Sequence, residues 1–224
     1  MPPPPRRPWV VGVSGASGTP YAAAVLRALL AAGESVDLVV SRASRLTLLD
    51  ETGIAFRDAH WRDDLRSWLA RGADGKPDHF GPGGLDLDDV RHWGAGDLAA
   101  GPSSGSYPVQ GMLIVPASTA CVAGVALGLS KDLLQRAASV TLKERRKLVV
   151  AVRETPLNGQ TLRHLVALDE AGAVVLPASP AFYAGATHIQ DLVDFVAGRV
   201  LDAAGVPHRL YRRWEGELGG SRGD

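Results

Sequence analysis

The sequence predicts an α/β protein with a Rossmann-like or flavodoxin-like three-layer fold, in which helices cover both faces of a central parallel sheet. Three observations favour this class. Short apolar runs such as residues 148–152 recur along the chain, as expected of strands that are buried on both faces. Segments typical of helices separate these runs, and the alternation indicates right-handed βαβ units. The chain has 224 residues, 46% of them hydrophobic, which is enough for one domain with a substantial core.

The first elements follow from this pattern. The apolar residues 9–13 predict a strand, and the small residues SGASG after them predict a tight turn. An alanine- and leucine-rich segment at 21–32 predicts a helix. Residues 35–40 predict a second strand and 42–51 a second helix.

Between residues 54 and 110 the alternation is lost. This segment mixes Trp, Gly, Pro and Asp, and it predicts a long irregular excursion with one short helix at 63–70. We therefore expect a single domain over residues 9–214 that carries this excursion. A proline-rich leader at 1–8 and a glycine-rich tail at 215–224 are expected to be disordered.

The second half of the chain returns to the alternating pattern. The predicted elements are, in order, a strand at 111–115, a helical region at 121–143 that breaks near Gly128, a strand at 148–152, a helix at 161–170, a strand at 173–176 and a helix at 189–203. The predicted sheet thus has five strands.

Composition excludes several classes of partner. Basic and acidic residues balance at 24 each, so no global charge favours nucleic acid or a membrane surface. No apolar run approaches the roughly 20 residues of a membrane span. Cys121 is the only cysteine, so no intrachain disulfide can form, and we expect a cytoplasmic protein. The six histidines lack metal-ligand spacing, so no metal site is predicted.

Ligands of parallel sheets bind at the carboxyl ends of the strands, which directs attention to the residues just after each run. These are SGASG, Ser41, PASTAC at 116–121 and the pair Arg153-Glu154. Small residues and helix starts after two neighbouring strands favour a phosphate-bearing ligand, although tight turns or plain capping would give the same pattern. The glycine spacing is neither GxGxxG nor a Walker motif, which argues against a dinucleotide.

Charged residues and the cysteine are open to more than one interpretation. The run KERRK is typical of a solvated helix end, which accounts for Arg145, Arg146 and Lys147. That interpretation fits Arg153-Glu154 poorly, because the pair falls at a ligand-binding strand end. Cys121 is expected to be a small buried hydrophobe rather than a nucleophile.

These motifs together resemble one family. SGASG, SRA after the second strand, ET at 51–52, SSGS at 103–106, RAASVTLKERRKLVVAVRETPL, PAFY at 180–183, DLVDFVAGRVLD and RRW at 212–214 occur in the order seen in UbiX-type flavin prenyltransferases. That family lies in the homo-oligomeric flavin-containing Cys decarboxylase-like superfamily. The chain differs in having Cys121 and Ser139 where the family often has Thr and Asp, and in a longer 54–100 segment.

The resemblance implies a function and a site. The expected activity is metal-independent transfer of the dimethylallyl group of dimethylallyl phosphate to N5 and C6 of reduced FMN. It also implies a homododecamer whose product, prenylated FMN, serves UbiD-type decarboxylases. Residues implied for FMN are Gly15, Ala16, Ser17, Ser41, Ser118, Thr119, Ala120, Cys121 and Arg153. Residues implied for the prenyl phosphate are Ser104, Gly105, Arg136, Lys143, Tyr183 and Arg199. Residues implied for catalysis are Ser17, Glu51, Glu154, Lys143 and Trp214.

Two other functions are weighed against this one. A flavin-dependent decarboxylase of the peptidyl-cysteine or phosphopantothenoylcysteine type shares the fold, but it relies on an N-terminal histidine. The first histidine here is His60, inside the excursion. A non-catalytic flavin carrier would not need the residues implied for a phosphate leaving group. Whether the monophosphate or the diphosphate is preferred stays open.

Overall fold

The structure is a computed structural model that describes residues 6–76, 86–214 and 216. Within these residues, six strands form one parallel sheet in the order β3-β2-β1-β4-β5-β6. The strands are β1 (Trp9–Val13), β2 (Val36–Val40), β3 (Val90–Trp93), β4 (Gly111–Ala117), β5 (Lys147–Val152) and β6 (Val174–Pro177). The expected parallel α/β architecture is confirmed.

Helices cover both faces of this sheet. They are α1 (Thr19–Ala31), α2 (Arg42–Thr52), α3 (Trp61–Leu69), α4 (Thr119–Ala126), α5 (Leu133–Lys143), α6 (Gly159–Glu170) and α7 (Ile189–Ala204). Helices α1, α2, α3 and α7 pack on one face, and α4, α5 and α6 pack on the other. Alternate strand residues supply the two cores, so that Val11 faces α1 and α7 while Val10 faces α4 and α5. Within the described part of the chain, none of the helices is long and apolar enough to cross a membrane.

The excursion between residues 54 and 110 is more regular than predicted. The prediction of no strand there is wrong for Val90–Trp93, which pairs in parallel with β2 at one edge of the sheet. Only Val90 of this strand is fully buried, and Arg91 is exposed. This edge strand has only four residues and includes Arg91 and His92, so it lacks the apolar run that marks the central strands.

Other boundaries agree within a few residues. The predicted break near Gly128 is confirmed, because α4 and α5 are separate helices. Of the predicted leader, residues 6–8 are held by hydrogen bonds, including Gln110 N to Pro8 O at 3.0 Å. The rest of that leader, residues 77–85 of the excursion and the predicted tail except Gly216 lie outside the described residues.

Strand order positions the site. The chain adds strands outward from β1 to β3 and then returns to the other side of β1 with β4. The crevice between the carboxyl ends of β1 and β4 is therefore the topological switch point, where sheets of this type bind ligands.

Candidate active site

The turns after β1 and β4 are joined across the switch point. Ser14 N and Ser14 Oγ donate to Pro116 O at 3.2 and 2.9 Å, and Ser118 N donates to Ser14 Oγ at 2.7 Å. Ser14 is almost fully buried. Sequence analysis did not assign it a role of its own, although it is the first residue of SGASG. Its hydroxyl therefore holds the turns after β1 and β4 in a fixed relative position.

Two helices, α2 and α4, begin at this edge of the sheet, and each has a serine as its N-cap. Ser41 Oγ accepts a hydrogen bond from Ser44 N (3.1 Å) at the start of α2, and Ser118 Oγ accepts one from Cys121 N (3.3 Å) at the start of α4. Helix starts carry partial positive charge and favour an anion. A cavity of about 240 Å³ opens between them. Its lining includes Ser14, Gly15, Ser41, Ser118, Ala120 and Cys121.

Helix α1 is capped by a carboxylate from another helix. Its N-cap is Gly18, in the left-handed region at φ 116°, so the residue itself has no side chain to offer. Glu51 of α2 accepts hydrogen bonds from Gly18 N (2.9 Å), Thr19 N (2.8 Å) and Thr19 Oγ1 (2.6 Å). Glu51 therefore lies beside the ligand turn with both oxygens engaged, while Ser17 is exposed next to it. Thr19 was missed by sequence analysis.

Cys121 lies inside this cavity as a buried thiol. Burial, and to a smaller extent the charge of Asp132, raise its pKa to about 12, and a hydrogen bond with Ser14 opposes the shift. A thiol with this pKa is protonated at neutral pH, so it is not an activated nucleophile. The expectation of a small buried hydrophobe agrees with this environment.

The pair Arg153-Glu154 emerges where β5 ends. Arg153 N donates to Ala117 O at 3.1 Å, which ties the pair to the end of β4. The Arg153 side chain reaches Tyr21 of α1: burial raises the pKa of Tyr21, and the charge of Arg153 opposes that rise. Among the described residues, the buried Arg153 Nε has no hydrogen-bond partner. A buried donor without an acceptor fits a site built for an acceptor on a ligand. Glu154 is exposed, and its carboxylate accepts from Thr155 N at 2.9 Å.

A second group of predicted residues surrounds the 103–106 loop. Arg136 Nε donates to Ser103 O at 3.1 Å, and Arg146 donates to Gly105 O at 2.7 Å. Lys143 pairs with Glu144, and a Cβ at position 105 would lie 2.6 Å from Lys143 Nζ. The interpretation of Arg146 as a solvated charge is wrong, because its guanidinium donates to the carbonyls of Gly105 and Tyr107 and so holds this loop. No motif distinguished it from its charged neighbours.

A third group lies on the opposite face of the sheet. Tyr183 contacts Trp214 edge-on, with ring centroids 5.9 Å apart, and Phe195 of α7 at 5.7 Å. Arg199 of α7 donates to Asp202 at 3.1 Å. Helix α7 packs on the face that carries α1, whereas α5 packs on the other face. Within one chain, the residues implied for the prenyl phosphate are therefore divided between the two faces of the sheet.

A larger cavity lies away from this chemistry. It measures about 1120 Å³ and is lined at the amino ends of β2 and β3 by residues such as Asp37 and Arg91. The strand-end cavity is smaller, at about 240 Å³. The smaller cavity is therefore the candidate site because it lies at the carboxyl ends of the strands, and not because of its volume.

Comparisons with known proteins agree with this geometry. The Flavoprotein family model matches residues 3–201. Flavin prenyltransferase UbiX of Streptomyces coelicolor is 87% identical over 215 residues, which is 96% of this chain and 98% of that protein. Flavin prenyltransferase UbiX of Synechocystis sp. is 40% identical over 214 residues, which is 96% of this chain and 98% of the relative.

Solved structures show the same likeness. AnUbiX (PadA1) in complex with FMN and dimethylallyl pyrophosphate has a TM-score of 0.78 and 35% identity, and the match covers 95% of this chain and 100% of that one. A dodecameric FMN-dependent UbiX-like decarboxylase from Escherichia coli O157:H7 has a TM-score of 0.77 and 33% identity, over 93% and 99% of the two chains. The chain belongs to the UbiX family of flavin prenyltransferases.

Proposed function

We propose that this protein joins the dimethylallyl group of dimethylallyl phosphate to N5 and C6 of reduced FMN. Family membership supports the reaction class, and the related AnUbiX structure holds both FMN and dimethylallyl pyrophosphate. The observation in this chain that carries the proposal is the buried Arg153 Nε without a partner among the described residues. It lies at the end of β5, bonded through its backbone to β4 at the switch point, where an FMN acceptor would satisfy it.

FMN is proposed to occupy the strand-end cavity. Its phosphate would meet the turn at Gly15, Ala16 and Ser17, and the capped helix starts after Ser41 and Ser118. The α4 start adds Thr119, Ala120 and Cys121 to the lining, and Arg153 would hold the flavin from the β5 side. Reduced FMN supplies the electron pair of N5 that forms the new bond to carbon.

The chain's cations are proposed to hold the departing phosphate. The carbon–oxygen bond breaks with its electron pair on the phosphate oxygen, so positive side chains beside that oxygen stabilise the transition state. Arg136, Lys143 and Arg199 supply this charge, while Ser104, Gly105 and Tyr183 complete the binding surface. Guanidinium and ammonium donors can replace a metal ion at a monophosphate, so the reaction is expected to need no added metal.

An aromatic ring and a carboxylate are proposed to serve the carbon and proton steps. Positive charge spreads over the allyl fragment as the bond breaks, and the face of Trp214 would stabilise it by about 2 kcal/mol in a desolvated site. In the closure, one carbon of the prenyl double bond takes up a proton, the other forms the bond to C6, and C6 then releases its proton. Glu154 is exposed at the strand end and is proposed to accept it, with Ser17 and Glu51 orienting the same region.

Assembly is proposed to complete the pocket. In one chain, Arg136 and Lys143 lie on α5 while Arg199 lies on α7, on opposite faces of the sheet. A neighbouring subunit could bring the second group to the first, and the related Escherichia coli protein is dodecameric. We therefore propose a homododecamer, a cytoplasmic location and delivery of prenylated FMN to a UbiD-type decarboxylase.

The test is direct product analysis. Purified protein is incubated without oxygen with reduced FMN and either dimethylallyl phosphate or the pyrophosphate, and the flavin is examined by mass spectrometry. Prenylated FMN is expected with the wild type, and Arg153→Met is expected to lose FMN affinity. Unmodified flavin with both prenyl donors would refute the proposal. Dilution until the oligomer dissociates should abolish turnover, and an active monomer would refute the shared pocket.

A further inference from the structure

The carboxylate of Asp202, on α7, forms hydrogen bonds with side chains from two separate parts of the chain. Its Oδ2 accepts from Arg199 Nη1 (3.1 Å) on the same helix and from Tyr211 Oη (2.5 Å). Its Oδ1 accepts from Arg213 Nη2 at 2.7 Å and lies 3.0 Å from His208 Nε2. A single half-buried carboxylate thus joins the helix to the C-terminal segment, residues 208–214.

The C-terminal segment is shaped to lie on α7. A Cβ at Gly198 would lie 2.6 Å from the Tyr211 ring and 2.7 Å from His208 Cε1, so glycine permits this close approach. The Tyr211 ring then contacts Phe195, with centroids 4.8 Å apart. Packing and hydrogen bonding therefore fix the same segment independently.

This segment ends at Trp214, beside Arg213. Arg213 is bonded to Asp202, and Trp214 contacts Tyr183, which in turn contacts Phe195. The aromatic chain from Tyr211 through Phe195 and Tyr183 leads to Trp214. Asp202 is thus connected both to the cation proposed for the phosphate and to the ring proposed for the allyl group.

The charge balance leaves the cluster suitable for an anion. Arg199 and Arg213 carry two positive charges against one negative charge on Asp202, which leaves one net positive charge. Arg199 uses Nη1 for Asp202 and is about half exposed, at 52% of its side chain. A guanidinium has five N–H donors, so a hydrogen bond at Nη1 restrains the Arg199 side chain and leaves other donors available for a ligand.

We propose that Asp202 is a positioning residue that presents Arg199 and Trp214 to the prenyl donor as one unit. This inference rests on the proposed function, because the two presented groups act on the prenyl phosphate. Neither Asp202 nor its partners Tyr211, His208 and Arg213 contacts the strand-end cavity proposed for FMN. Loss of the Asp202 carboxylate is therefore expected to raise the KM for the prenyl donor and to leave the affinity for FMN unchanged.

The experiment compares Asp202→Asn with Arg199→Ala, the double variant and Asp169→Asn, an exposed acid on α6 that serves as the matched control. Asp202→Asn should raise the KM for dimethylallyl phosphate about tenfold, the size of coupling common within a hydrogen-bonded network. The Kd for FMN should stay within about twofold, because no contact with that cavity changes. In the Arg199→Ala background the further increase in KM should vanish, since Asp202 acts on KM through Arg199 and on kcat through Trp214.

Hydrogen exchange supplies a measurement that is independent of turnover. Amides of the 208–214 segment should exchange faster in Asp202→Asn and not in Asp169→Asn. Tyr211→Phe keeps the ring packing and removes one bond to Asp202, so it should give a smaller KM increase in a protein that folds. If Asp202→Asn does not fold, Tyr211→Phe decides the question.

The outcomes separate this inference from the proposed function. An active wild type in which Asp202→Asn or Tyr211→Phe leaves the KM unchanged refutes the positioning role. Equal fold-changes with and without Arg199 indicate a merely structural role and refute it as well. A wild type that makes no prenylated flavin refutes the proposed function, and unchanged exchange at 208–214 would then refute the positioning role on its own.

Discussion

Removing the carboxylate of Glu51 should loosen the start of α1. Glu51→Gln keeps the size of the side chain, but its NH₂ group cannot accept from the donors that now meet one of the two oxygens. The glutamine carbonyl oxygen can take the place that accepts both Thr19 donors, so the amide NH₂ group then faces the N–H of Gly18, which is half-buried. Leaving the Gly18 N–H unpaired and removing a negative charge from the helix start should lower the free energy of unfolding by about 1–4 kcal/mol.

The assay is urea unfolding followed by circular dichroism at one fixed protein concentration, because assembly contributes to apparent stability. Asp50→Asn is the matched control, since it removes the same charge from the adjacent, exposed position of α2. Asp50→Asn should shift the free energy of unfolding by less than about 0.5 kcal/mol. Equal stability of the two variants would show that the three hydrogen bonds to Glu51 do not stabilise the turn.

Three further predictions concern the proposed chemistry. Glu154→Gln should bind FMN and the prenyl donor normally and turn over about 10²–10⁴ times more slowly; a wild-type rate would remove Glu154 from the proton step. Lys143→Ala and Arg199→Ala should raise the KM for dimethylallyl phosphate while the Kd for FMN stays constant, and EDTA should leave the wild-type rate unchanged; inhibition by EDTA would contradict the metal-free mechanism. Cys121→Ala should remain active, and because the pKa of Cys121 is raised to about 12, iodoacetamide should not label the folded protein at pH 8; rapid labelling would refute the buried thiol.

The central strands could be predicted because burial on both faces leaves an unbroken apolar run, as in β5. The ligand turns could be predicted because small residues follow β1 and β4 directly. Contacts between residues that are distant in the sequence could not be predicted. Nothing in the local pattern around Asp202 indicates that Tyr211 and Arg213 fold back onto it, since those contacts depend on the path of the chain after α7.

The geometry of the candidate site was likewise only partly predictable. The family resemblance implied which residues serve the prenyl phosphate, but not that Lys143 and Arg199 lie on opposite faces of the sheet in one chain. Arg146 shows the same limit, because a charged residue that fixes a loop cannot be told from a solvated one by sequence alone.

The two edge strands of the sheet, β3 and β6, affect the tendency of the protein to aggregate at high concentration. An open sheet offers unpaired N–H and C=O groups at its margins, and such margins can recruit strands from other molecules. Here β3 has four residues and places the charged Arg91 at one margin, while β6 has four residues and ends in Pro177, which has no N–H to donate. The low apolar content that hid β3 from sequence analysis is therefore also what protects the sheet from edge-to-edge aggregation.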